Sequence, residues 1–252
     1  MPRKARIESA GKHYVFNRAR DNRPIFKTAE QKKDFLNIVC AGCTRYDATV
    51  IAFTILDTEY HLLIETTKPN LSLLMRQISA GYSISFNKSV KSRGNIWHDR
   101  FASWVISGKE DVLFLQKFMA HCPVLKNYVK KPGEYQFSSI KTLLDGEMSI
   151  GCFHNILKIK KIKEIQKSSF GDAELTLLQN IKRRARQADK AVSAPEAREP
   201  IEKIFKKIKN REKRNKKIVA AFQAGYSQNE IALFLELSQS SISKIINASG
   251  RI

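Results

Sequence analysis

Segments of two-residue and 3.6-residue hydrophobic period alternate through the first 125 positions, and their order restricts the fold more than any other feature of this sequence. His13 to Arg18 alternates briefly, in the manner of a strand. Glu30 to Thr44 carries Phe35, Ile38 and Val39 at helical spacing, with Thr28 placed to cap it. Ala48 to Leu56 and Tyr60 to Glu65 are rich in β-branched and aromatic residues. Asp57, Thr58 and Glu59 separate them, which predicts a hairpin. Leu71 to Phe86 is amphipathic, with Asn70 or Ser72 near its start. Ser103 to Ile106 reads as another strand, and Asp111 to His121 as a helix closed by Pro123.

The resulting order, β-α-β-β-α-β-α, predicts an α+β unit: an antiparallel sheet with helices on one face, the ferredoxin-like arrangement. Such a sheet assigns no function by itself. Past residue 145 the composition changes. Ile156 to Lys167 and Glu174 to Arg186 are basic and helical in pattern, and Gln187 to Pro200, with little to bury, reads as a linker. Then Lys216 to Ala224 is apolar at Ile218, Val219 and Phe222 and stops at Gly225. Ser227 and Glu230 form a capping box ahead of a helix from Gln228 to about Leu235. Leu237 and Ser238 turn the chain into a last helix, Ser240 to Asn247, with Ile242, Ile245 and Ile246 on its apolar side. Two short helices across a tight turn, with a third upstream, predict a small all-α helix-turn-helix unit. The expected divisions are thus 1–145, 146–200 and 201–252. In this motif Gln239, Ser240, Ser241, Ser243 and Lys244 face the major groove, where Gln pairs with adenine and Ser tolerates several bases.

Charge points the same way. With 45 Lys and Arg against 24 Asp and Glu, the net charge is +21. A field that positive favours a polyanion; a basic ribosomal-type protein and a membrane surface are the competing readings. The hydrophobic fraction, 42%, is enough for a core. No apolar run approaches the roughly 20 residues of a membrane span, and no apolar signal core follows Met1 to Arg6. A cytoplasmic, nucleoid-associated location is the expectation, with no membrane partner. Cys40 and Cys43 form a CxxC, but no second pair completes a zinc site. Cys40, Cys43, Cys122 and Cys152 are therefore expected as reduced, buried thiols.

Five fragments, taken together, resemble one family. They are Asn17-Arg18 with Asn22-Arg23-Pro24-Ile25-Phe26; His61-Leu62-Leu63-Ile64-Glu65; Asn95-Ile96-Trp97-His98-Asp99-Arg100-Phe101; and Gly133-Glu134-Tyr135-Gln136-Phe137-Ser138-Ser139. Over the first 145 residues their order and spacing resemble the HUH-type tyrosine transposases of short insertion sequences, especially the REP-associated branch. The resemblance implies an enzyme that cuts one DNA strand with a tyrosine, forming a phosphotyrosine. A divalent ion, held by a His-hydrophobic-His pair and a further polar side chain, would polarise the scissile phosphate.

Three matched positions depart from that pattern. Glu59-Tyr60-His61 has a glutamate where the family has its first histidine; Mg²⁺ or Mn²⁺ still accepts such a ligand, so a weak site on Glu59 and His61 stays open. The tyrosine position holds Phe118, and the family's Asn four residues later is Cys122, a poor ligand for a hard ion. Phe118 decides the matter, because a phenyl ring has no oxygen to attack phosphorus. Among substitutes, Tyr60 should face the other side of the sheet, Tyr128 lies beyond Pro123, and Tyr82 is the least unfavourable. His61 then packs or hydrogen-bonds, and no catalytic residue is expected.

Binding uses other residues. Arg18, Arg20, Arg23, Lys88, Lys91, Arg93 and Arg100 are candidates to neutralise phosphates, against the alternative of a solvated face. Trp97 and Phe101 either stack on unpaired bases or pack in the core. The sequence reading is a non-cleaving DNA-binding protein acting in transcriptional or mobile-element regulation. An active transposase or nickase with a rearranged site and an RNA-binding regulator are the alternatives. Monomer and homodimer both stay open.

Overall fold

The computed structural model describes residues 9–146, 151–154, 156–157, 159–193, 200–206, 210–224, 226 and 228–249. The chain divides into two compact units, Met1–Lys190 and Ala191–Ile252.

In the first unit β1 (Gly11–Arg18), α1 (Ala29–Arg45), β2 (Ala48–Ile55), β3 (Glu59–Thr66), α2 (Leu71–Ser89), β4 (Ala102–Ile106) and α3 (Lys109–Leu125) follow the expected order. The four strands form an antiparallel sheet in the order β2-β3-β1-β4. Thr28 opens α1 through a reciprocal capping box with Gln31, worth about 1 kcal/mol. The short α4 (Ser139–Leu144), α5 (Ile159–Lys167) and α6 (Asp172–Ser193) come after α3.

Helices cover both faces of the sheet, which corrects the expectation of one. On one face Val15, Phe53, Tyr60, Leu62 and Ile64 pack against Phe35 and Val39 of α1 and Leu74, Ile78 and Tyr82 of α2. On the other, Tyr14, Leu63, Trp104 and Ile106 meet Val112, Leu115 and Met119 of α3 and Ile181 and Ala185 of α6. The unbroken apolar run Leu62-Leu63-Ile64 is what a strand buried on both faces requires. The segment beyond residue 145 thus contributes to this core through α6, while Ile162 and Ile165 of α5 pack with Ala120 and Ile140 in a cluster of their own.

Pro123 does not close α3 but lies inside it. A proline has no N–H to give the carbonyl of Met119, one turn earlier. The hydroxyl of buried Thr54 on β2 lies 2.8 Å from that oxygen and can donate to it instead. Replacing Thr54 by Val keeps the volume and orphans the acceptor. We expect a loss of about 1–3 kcal/mol on denaturant unfolding, largely recovered in Thr54→Ser; a Val variant with an unchanged midpoint would contradict this.

The outer edge of β2 is closed by residues 151–154. Val50 N–H donates to the Cys152 carbonyl and His154 N–H to that of Val50, both at 2.8 Å. This pairing carries Cys152 to α1, where it forms a disulfide with Cys40. The expectation of four reduced thiols is corrected for these two, while Cys43 and Cys122 are free and buried. The two partners stand 112 residues apart, so local spacing gives no sign of them.

In the second unit α7 (Ile201–Ile204), α8 (Arg211–Gln223), α9 (Gln228–Phe234) and α10 (Gln239–Ser249) gather around Phe205, Ile218, Ala221, Ile231, Ala232 and Ile242. Small Ala232 of α9 is buried in this core, and its carbonyl accepts from Leu237 N–H in the turn. Ser238 caps α10 by accepting from Ser241 N–H at 3.2 Å. The expected cap Ser227 and stop Gly225 lie outside the described residues. Of the expected linker, Gln187 to Ser193 continue α6, and 194–199 lie outside the described residues.

Candidate functional site

Strand register brings the departing positions together. On β3, Glu59 and His61 point to the α3 side, and they pair across β1 with Arg18 and Phe16. On α3, one turn separates Phe118 from Cys122, so both face the same strands. The Phe118 ring stands edge-on to His61 with centroids 5.9 Å apart. Two further residues complete the cluster. The Tyr14 hydroxyl lies 2.7 Å from His61 Nδ1, and Lys126, just past α3, lies 3.3 Å from Glu59 Oε1. His61 Nε2 lies 3.3 Å from the same carboxylate oxygen.

Burial works against a charge on His61. Its contacts with Cys122, and then with the Glu59 carboxylate, outweigh burial and raise its pKa from the usual histidine value to about 10. The hydrogen bond from His61 is the main cause that lowers the Glu59 carboxyl to about 2, against its burial. With His61 charged, both ring nitrogens donate, Nδ1–H to the Tyr14 oxygen and Nε2–H to Glu59. The cluster is an ion pair flanked by a second cation, Lys126.

This sets the pH dependence. Glu59 is depressed, so its contribution is present above the unfolded value of about 4.3 and fades as pH falls toward 2. His61 is raised, so its contribution is full below about pH 6.5 and is lost as pH climbs toward 10. We expect the first unit to lose stability across that alkaline window and His61→Gln to flatten the loss. By NMR the His61 ring should remain protonated at about pH 7.5; titration near the ordinary histidine value would contradict the assignment.

Can the cluster cut DNA? Tyr14 is the hydroxyl beside His61, a residue the sequence reading passed over. It is 2% exposed, and burial above all, with the Glu59 carboxylate nearby, pushes its pKa well above the ordinary tyrosine value, so it is a poor nucleophile. Tyr60 lies in the opposite core, as expected. Tyr82 is in that core too: its hydroxyl donates to the Ile25 carbonyl, and burial raises its pKa. The Tyr128 hydroxyl accepts from Asp57 N–H at 3.4 Å, beyond the end of α3.

Nor do these residues suit Mg²⁺ or Mn²⁺. Among the described residues no group of three or more His, Cys, Asp or Glu side chains is arranged to hold a metal ion. An ion on Glu59 and His61 would have to displace Lys126 and deprotonate a charged imidazole.

The candidate phosphate-binding residues gather at the same end of the sheet. Residues 18–20 and 96–98 clasp each other: Arg20 N–H donates to the Ile96 carbonyl, His98 N–H to that of Arg18, and Ala19 bridges Trp97. Arg18, Arg20, Lys88, Lys91, Arg93 and Arg100 are exposed, while Arg23 is half-buried over the Phe86 ring. Trp97 and Phe101 are buried, so core packing is the reading that holds. The Trp97 indole donates to the Ser79 carbonyl, and its ring packs among Phe26, Tyr60 and Tyr82. In the second unit Gln239, Ser240 and Lys244 are exposed and Ser241 and Ser243 half-buried. The hydroxyls of Ser240 and Ser241 lie 3.0 and 2.8 Å from that of Ser238.

No family model and no curated protein matches the chain. Among the solved structures similar to it are the following two. One is a REP-associated tyrosine transposase bound to a REP hairpin, 16% identical, covering 68% of this chain and 99% of that one with a TM-score of 0.48. The other is a candidate transposase from Deinococcus radiodurans R1, 11% identical, covering 47% of this chain and 95% of that one with a TM-score of 0.34. At these values neither likeness transfers a residue role or an activity. Among the described residues no helix is long and apolar enough to cross a membrane.

Proposed function

We propose that this chain is a DNA-binding protein of tyrosine-transposase descent that has lost strand cleavage. The observation that supports it most is the Phe118 ring against His61, at the position where the resemblance calls for the nucleophilic tyrosine. An ion pair between His61 and Glu59 occupies what the resemblance makes a metal site.

Binding survives such a loss because other residues carry it. Arg18, Arg20, Lys88, Lys91, Arg93 and Arg100 face solvent, with Arg23 half-buried beside them, and can neutralise phosphates of a hairpin or duplex. In the second unit α8, α9 and α10 serve as a helix-turn-helix, with Gln239, Ser240, Ser241, Ser243 and Lys244 of α10 reading a major groove. Functionally the chain divides into a transposase-like domain (1–145), a basic segment (146–200) and a DNA-reading domain (201–252). Joining two modest binders raises affinity through effective concentration. Regulation of transcription or of a related mobile element suits a two-part binder without cleavage.

Fluorescence anisotropy of the intact chain with a labelled hairpin oligonucleotide tests the reading. We expect saturable binding, weakened roughly tenfold or more in Arg18→Ala/Arg20→Ala. Failure to bind hairpin or duplex DNA, or a preference for RNA of equal length, would overturn it.

A further inference from the structure

We propose a second phosphate-binding site in the first unit, a cleft between the turn after α3 and the end of α5. The proposal rests on the DNA-binding reading and adds a surface that reading does not include. The cleft has a volume of about 720 Å³, and Lys130, Lys131, Gln166, Lys167, Ser169 and Phe170 are among the residues that line it.

Its walls are held close by local structure. Gly133 takes a φ of 88°, and a Cβ there would lie 2.8 Å from Leu144 Cδ1 and 3.0 Å from Gln166 Nε2. Only glycine allows the turn and the end of α5 to approach so closely without strain. In the floor buried His121 is tied to Ser168, with Nε2 3.0 Å from Oγ.

The charge on the rim is one-sided. Lys130, Lys131 and Lys167 are exposed, and none has a carboxylate partner among the described residues. The neighbouring carboxylate, Glu134, accepts instead from the backbone N–H groups of Lys130 and Lys131, at 3.2 and 3.0 Å. Three like charges around one hollow repel each other, and a polyanion relieves that repulsion. Lysine ammonium groups hold phosphate as point charges without a fixed bidentate geometry, which suits a nucleic-acid backbone.

Continuity favours DNA over an acidic peptide. Lys126 lies at the end of α3, just before the turn, and reaches Glu59, which pairs in register with Arg18. The cleft thus extends the basic end of the sheet, so one strand could run from Arg18 past Lys126 to Lys130, Lys131 and Lys167.

The test compares the intact chain with Lys130→Ala/Lys131→Ala/Lys167→Ala, using a labelled hairpin and a scrambled duplex over a range of salt. Each lost phosphate contact flattens the plot of log affinity against log salt by about 0.9, so the slope should become shallower by about 2.7. Affinity should fall roughly 10- to 100-fold on both probes, with an unchanged melting temperature, and the triple Lys→Arg variant should retain binding. Unchanged affinity and slope in the alanine variant, while Arg18→Ala/Arg20→Ala weakens binding, overturn the cleft and leave the DNA-binding reading standing. Absence of DNA binding by the wild-type chain overturns both.

Discussion

Reducing the Cys40–Cys152 disulfide should lower the stability of the first unit by about 3–5 kcal/mol, the upper end being the chain-entropy value for a loop of this size. The bond joins residues 112 apart and closes a loop that holds three of the four strands, β2, β3 and β4, so its loss frees a large share of the unfolded ensemble. It also holds residues 151–154 near the outer edge of β2, where they pair with the N–H and C=O groups of Val50. At roughly 2–4 °C per kcal/mol for a unit of this length, a thermal melt with reductant should shift down by about 10 °C. Cys152→Ser should reproduce the shift without reductant and melt the same with it, whereas Cys43→Ala should keep its response to reductant, since Cys43 is unpaired. Equal melting of oxidised and reduced protein would show that the bond contributes nothing.

DNA affinity should depend steeply on salt. Arg18, Arg20, Arg23, Lys88, Lys91, Arg93 and Arg100 number seven cations at one end of the sheet. At about 0.9 counterion per contact they predict a slope near −6, which amounts to a roughly 10³- to 10⁴-fold loss between about 50 and 200 mM salt. The second unit and the lysine cleft can only steepen it. The measurement is a titration series with one hairpin at four or more salt concentrations. A slope shallower than about −2 would mean that these side chains are a solvated face and that contacts other than phosphates carry the affinity.

Much of the fold was legible because it rests on local rules. Alternation marked β1, runs of β-branched and aromatic residues marked β2 and β3, and Asp57 to Glu59 marked the hairpin. Thr28 announced the start of α1. What escaped depends on contacts between distant residues. Pro123 reads as a stop until Thr54, 69 positions earlier, is seen to satisfy the carbonyl that proline cannot. Cys40 reads as a reduced, buried thiol, because nothing in the spacing reveals that residues 151–154 run along β2. The apolar run Leu62-Leu63-Ile64 was the available sign that helices cover both faces.

The site divides the same way. Glu59, His61, Phe118 and Cys122 were found from motif positions, and the strand register and helical turn bring them together. Tyr14 and Lys126 were missed. Tyr14 reads as one more core aromatic, and it reaches His61 only through the pairing of β1 with β3. Lys126 is one of 45 basic residues, and only its position past α3 sets it against Glu59.

The central claim is that DNA is held and not cut. The most direct measurement incubates the intact chain with end-labelled hairpin DNA and Mg²⁺ or Mn²⁺, then resolves the mixture on a denaturing gel. The account predicts intact oligonucleotide and no label migrating with protein, under conditions where a native gel shows a complex. A labelled strand covalently joined to the polypeptide, at Tyr14 or any other side chain, would contradict it.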